Sequence, residues 1–201
     1  MHGRLGWALA ALLATAAAAG PAGAHSVVDT GPPAGNENPL PAGALARVTP
    51  RLISQQLFDH WYRIALKGND GNPRAETMGF LIQSVWIQLE AADHGLGVSR
   101  RTVRREFRKQ KKEAFPTERE YQRFLKSSGF TEQDVRYRVK LDLLQGRLLA
   151  HATARAKSPS GRRRARARFI SAFQRKWKAR TGCAAGYVVE GCGHQLALAG
   201  M

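Results

Sequence analysis

Residues Ser99 to Leu148 read SRRTVRREFRKQKKEAFPTEREYQRFLKSSGFTEQDVRYRVKLDLLQGRL. Three helices are written there in succession, each with its own start and stop. The first opens at Ser99 and ends near Phe115, just before Pro116. Val103, Phe107 and Ala114 form its inward side, and its other faces are basic. Thr117 with Glu120 is a capping box, in which a threonine hydroxyl and a glutamate three residues on satisfy each other's backbone N–H groups. It opens a short helix ending at Gly129, with Tyr121, Phe124 and Leu125 on the buried side. Thr131 with Asp134 repeats the pattern for a helix running to about Ala156. Val135, Val139 and Leu143 share one stripe of it, and Tyr137, Leu141, Leu144 and Leu148 share the neighbouring one. A helix apolar on two adjacent faces has partners on both.

Working outward, two helices precede this stretch. One is expected from Ser54 as N-cap to Lys67, stopped by Gly68, with Leu57, Phe58, Trp61, Ile64 and Ala65 at three- and four-residue spacing. Turn residues 68–73 follow. The next, about Arg74 to His94, carries a broad stripe of Met78, Leu81, Ile82, Val85, Trp86, Leu89 and Ala92 and stops at Gly95, which reads as the central core helix. Ala44 to Ile53 alternates weakly and suits a short extended segment, confined by Pro50 to an edge or a strand end. Beyond the quoted stretch, Lys157 to Gly161 breaks the chain. A last helix, about Arg162 to Lys178, carries Phe169, Phe173 and Trp177 at steps of four on an otherwise basic rod. The expected architecture is all-α, a compact bundle of about six helices with a C-terminal tail closed by a disulfide.

The ends set the compartment. Residues 1–24 have the form of a secretory signal peptide: Arg4 supplies the positive start, Leu5 to Ala19 is apolar, and Ala22-Gly23-Ala24 suits a signal peptidase. Cleavage near Ala24 would place the mature chain outside the cytoplasm, secreted or in the cell envelope. Residues 25–43 are rich in Pro, Gly and Asn and read as a disordered linker. Cys183 and Cys192 are the two cysteines. In an oxidising compartment they are expected to form a disulfide. The competing reading is a metal pair with His194, for which no fourth ligand stands at suitable spacing.

The formal charge of the chain is +17, and the charge is clustered. Between Arg100 and Lys112 there are eight basic residues and the single acid Glu106; between Arg155 and Arg180 there are eleven and no acid. Such surfaces attract nucleic acid, anionic lipid headgroups, acidic envelope polymers or acidic unfolded proteins. The candidate anion-binding side chains are Arg100, Arg101, Arg104, Arg105 and Arg108 on one helix and Arg162, Arg163, Arg164, Arg166 and Arg168 on another. The inventory for catalysis is poor. There is no Gly-rich phosphate loop, no His-x-x-x-His pair and no nucleophile elbow. No catalytic residue, metal ligand or cofactor is expected. His60, His94, His151 and His194 read as surface or capping residues, and Asp59 and Glu90 as acids paired with Arg or Lys.

Four stretches carry a family resemblance: Ile53–Trp61 (ISQQLFDHW), Ser84–Ser99 (SVWIQLEAADHGLGVS), Arg105–Leu144, and Lys176–Cys192 (KWKARTGCAAGYVVEGC). Together they resemble extracytoplasmic folding factors of the SurA N-terminal and PrsA type, in an actinobacterial style. The resemblance implies a helical chaperone domain over 44–156, with 157–201 as a basic helix and Cys-closed tail packed on it. In that family a parvulin-type prolyl isomerase domain is usually inserted before the final helix. Here a handful of residues separates the fifth helix from the last, too few for a domain. The implied role is therefore a non-catalytic chaperone for unfolded or newly exported polypeptides, and the isomerase activity that the family label would suggest is disfavoured. Candidate client-binding rings are Trp61, Trp86, Phe130, Phe169, Phe173 and Trp177. For Trp86 the core reading is preferred; the ridge on the last helix could equally dock onto the fifth. The alternative function is binding of an anionic envelope polymer, a lipid surface or nucleic acid through the basic helices, the last disfavoured by export.

Overall fold

The computed structural model describes residues 38–68 and 71–199. The signal peptide and most of the linker expected from the sequence lie outside the described residues. A hairpin, β1 (Ala44–Val48) and β2 (Arg51–Ser54), leads directly into α1 (Gln55–Gly68). There follow α2 (Pro73–Asp93), α3 (Arg100–Ala114), α4 (Glu118–Ser128), α5 (Glu132–Thr153) and α6 (Pro159–Lys178), then β3 (Thr181–Ala184) and β4 (His194–Leu196).

The helix signals hold at atomic detail. Ser99 Oγ accepts from Thr102 N at 3.1 Å, and both capping boxes close, Thr117 with Glu120 and Thr131 with Asp134. Gly129 ends α4 in the left-handed region at φ 76°. The last helix begins earlier than its apolar spacing suggests. Ser158 is the N-cap and Pro159 occupies the first turn, where its missing N–H has no helical partner to lose. The segment read as a breaker is therefore also a helix start. In α1, Phe58, Trp61 and Ile64 are buried, but Leu57 lies at the rim with 40 % of its surface exposed.

The helix α5 is the axle of the bundle. Leu141, Leu144 and Leu148 enter the main core with Met78, Leu81, Ile82, Val85 and Trp86 of α2. Its other stripe, Val135, Val139 and Leu143, closes a second small core with Phe107 of α3 and Tyr121 of α4. The two-stripe pattern in the sequence is thus the reason α2 and α3 sit on different sides of one helix.

Six helices make up most of the molecule, and a small sheet ties its ends together. The strand order is β2-β1-β3-β4. β1 pairs antiparallel with β2 and with β3, and β3 pairs parallel with β4. Beyond β4, Leu40 N donates to Ala197 O at 2.8 Å and Ala199 N to Leu40 O at 2.9 Å. Leu40, in the stretch that composition marks as linker, is fully buried by this pairing. The weakly alternating 44–53 segment is a hairpin with Pro50 in its turn, and Ala46, Val48 and Ile53 are its fully buried residues. Cys183 and Cys192 form the expected disulfide, fastening β3 to the approach to β4.

Candidate functional site

The aromatic residues expected to present a client-binding patch are placed mainly inside. Trp61 packs against Phe80, Tyr137 and Phe130 with ring centroids 4.6, 5.8 and 6.1 Å away. Trp61, Trp86, Phe130, Phe173 and Trp177 are all buried, and Phe169 is half-buried, stacked on Phe173. The indole N–H groups give the physical reason. A buried tryptophan needs a partner for its one donor. Trp86 Nε1 donates to Thr181 Oγ1 at 2.8 Å, and Trp177 Nε1 donates to Glu90 Oε2 at 2.8 Å. Thr181 passes its own proton to the Trp177 carbonyl at 2.7 Å. Trp86, Phe173 and Trp177 are built into the joint between α2, α6 and β3, while Trp61 and Phe130 pack within the bundle. In this conformation these five rings form no exposed apolar patch, and for Trp86 that is the core reading preferred from the sequence.

Glu90 is the polar centre of that joint. Besides Trp177 it accepts from Lys176 Nζ at 2.6 Å and lies 3.2 Å from His94 Nε2, while Lys176 also reaches Asp93 Oδ2 at 2.8 Å. Burial pushes the Glu90 carboxyl pKa up, but the hydrogen bonds from Lys176, Trp177 and His94 and the Lys176 charge outweigh it and hold it below the usual glutamate value. Such a carboxylate is ionised at neutral pH and is a poor proton donor. The expected pairing of Glu90 with a basic residue is present. Asp59 differs: it accepts from Gln55 Nε2 at 2.6 Å. His60 is held 2.8 Å from Asp134, the same carboxylate that caps α5.

The candidate anion-binding residues face outward. Nine of the ten arginines, all but the half-buried Arg166, are exposed. Among the described residues none of the ten enters an ion pair; Glu118 pairs with Lys111, Glu120 with Arg123 and Glu132 with Arg136. The first turns of α3 and α6 contain no acid. Both helices thus set arginines near the positive end of the helix dipole, an arrangement that repels cations and suits anions.

Between α3 and α5 lies a groove of about 420 Å³ lined by Glu106, Gln110, Asp142, Leu143, Gly146, Arg147 and Ala150. The sequence reading did not single it out. Its available signal is a glycine, Gly146, in the interior of a long helix, where glycine is disfavoured by about 1 kcal/mol relative to alanine. Among the described residues there is no group of three or more His, Cys, Asp or Glu side chains placed to hold a metal, and no helix is long and apolar enough to cross a membrane.

This architecture is a helical bundle around a central helix, with an open groove and two basic helices. The family model described as SurA-like N-terminal domain matches residues 7–149. The chain belongs to that family. No curated protein and no solved structure matches it. The segment between α5 and α6 is Ala154–Ser158, so no domain is inserted at that point.

Proposed function

We propose that this chain is an exported, non-catalytic chaperone-like protein that holds unfolded or newly secreted polypeptides. The observation that carries this reading is membership of the SurA-like N-terminal domain family over residues 7–149. The Cys183–Cys192 disulfide fits an oxidising, extracytoplasmic setting. The direct α5–α6 connection supports a binding role without a parvulin-type isomerase at that position. The exposed arginines would steer acidic and neutral chains towards the bundle over a few tens of ångströms at low salt. Contacts to clients would be weak and interchangeable, as promiscuous binding requires.

The test is light scattering from a chemically denatured, unrelated enzyme diluted into buffer at low and moderate salt, with and without the protein. The expected result is suppression at both salts. The second reading, an anionic envelope polymer as partner, is favoured by the unpaired arginines of α3 and α6 and predicts binding that falls steeply with salt. Suppression confined to low salt, or none, would overturn the chaperone reading in its favour.

A further inference from the structure

In a chain of formal charge +17, the groove between α3 and α5 holds two carboxylates, Glu106 and Asp142. The half-buried Glu106 accepts from Gln110 Nε2 at 3.1 Å. Arg147 also lines the groove, but its guanidinium is turned to the Gly97 carbonyl. Asp142 is exposed as a residue, yet partial desolvation raises its carboxyl above the ordinary aspartate value, with the Arg138 charge pulling it back. Leu143, Gly146 and Ala150 of α5 also line the groove. A Cβ built on Gly146 would meet nothing within 4 Å, so no neighbour in the fold requires the glycine. A glycine that forgoes helix stability and lays bare its backbone is suited to close approach by a ligand. The volume lies at the low end of the range for small-ligand sites. These features call for a slender ligand with an apolar stem and a cationic end.

We propose that the groove between α3 and α5 seats a lysine or arginine side chain of an extended client polypeptide, its stem over Leu143, Gly146 and Ala150 and its charge between Glu106 and Asp142. Long basic side chains lay their methylenes on apolar surface while the charged head stays solvated, which matches a groove lined mainly by apolar surface and carrying two carboxylates. The proposal rests on the chaperone reading and adds a rule of register. The basic exterior gathers neutral and acidic chains at long range, and the groove holds an isolated basic residue at short range, within a Debye length of about 8 Å in physiological salt.

Fluorescence anisotropy tests it, using the full chain and labelled unstructured Gly/Ser/Ala peptides that differ at one central position. Lysine is compared with norleucine, which keeps the stem and lacks the charge. The expected result is about tenfold tighter binding of the lysine peptide, equivalent to about 1.4 kcal/mol. Glu106→Gln with Asp142→Asn should abolish that preference and leave norleucine binding in place. Gly146→Leu should weaken both peptides, since leucine fills open space and favours the helix, keeping the fold intact by circular dichroism. Equal binding of the two peptides by the wild type, or a lysine preference that survives Gly146→Leu, would overturn the proposal. Aggregation suppression in the same samples separates the two ideas. Suppression without lysine preference removes the groove and keeps the chaperone; groove-dependent lysine preference without suppression does the reverse.

Discussion

At the scale of single residues, the sequence shows which positions are apolar but not which donors find partners. Trp86 and Trp177 stand at helical spacing whether they face a core or a client. What decides between the two is Thr181 for Trp86 and Glu90 for Trp177, partners 95 and 87 positions away in the chain. No local signal announces such pairs, and for that reason the core reading preferred for Trp86 could not be extended to Trp177 from sequence. Glu90 was legible as an acid in need of a base, but the identity of the base was not. Its removal has a definite consequence. Glu90→Ala leaves the Trp177 N–H without an acceptor in a buried place, at a cost of about 1–3 kcal/mol, measurable as a lower urea midpoint. The pH dependence follows from the sign of the shift. Because the folded pKa is lowered, the unfolded chain binds protons more readily, and the stabilisation is present above the ordinary glutamate value and lost as pH falls through the lowered folded value. Asp134 is also held below the ordinary aspartate value, burial raising it and the Thr131 and His60 interactions lowering it further, so it adds to the same acid-side loss. Glu90→Gln should therefore flatten the fall in melting temperature between about pH 5 and 3. An unchanged acid profile in that variant would show that Glu90 does not carry the linkage.

At the scale of elements, the helices were legible because their instructions are local. A cap and its third residue, a glycine stop and a stripe at three- and four-residue spacing all lie within one or two turns of what they control. Of the strands, only the extended segment at 44–53 was legible; the pairing of β1 with β3 was not, since the two come from opposite ends of the chain and each has five residues or fewer. The groove was missed for a related reason. Glu106 and Asp142 lie on two different helices, and only packing places them together. The basic helices show a cost that sequence alone does reveal. Arg100 and Arg101 occupy the first turn of α3, where the helix dipole favours acids. Arg101→Glu should raise the stability of the isolated fold by about 0.3–1 kcal/mol, read as a higher melting temperature at low salt. If the arginines serve a polyanion, the same change should weaken binding to heparin and reduce the salt slope by about one or two charges. Opposite signs in the two measurements would show that α3 gives up stability for its charge. A variant that loses stability would assign Arg101 a structural contact instead.

At the scale of the whole molecule, the sheet converts a string of helices into a closed body. β3 is held between β1 at the start of the domain and β4 at its end, and Leu40 pairs alongside Ala197 and Ala199. The disulfide acts on this closure. Cys183 lies fully buried in β3 and only Gly193 separates Cys192 from β4, so the bond fixes the return of a tail that also packs Tyr187 and Leu196 into the main core. The fit around that return is close: a Cβ on Gly193 would stand 2.1 Å from the Lys178 carbonyl oxygen, and one on Gly182 would stand 2.5 Å from the Leu196 side chain. By loop-closure entropy a bridge across nine positions is worth roughly 2–3 kcal/mol. Its loss should be felt unevenly. The second core around Phe107, Tyr121 and Val139 contains no residue of the tail, whereas β4 and the Leu40 pairing lie directly beside the bridge. In the Cys183→Ala/Cys192→Ala variant, native-state hydrogen exchange should speed up by about tenfold or more at the amides of Leu40 and Ala199, while amides in the middle of α2 and α5 change only by the global loss of stability. Uniform acceleration across both sets would mean that the sheet and the bundle unfold as one unit. Local acceleration would mean that reduction of the disulfide frees the two ends of the domain and leaves its helices, its groove and its basic faces in place.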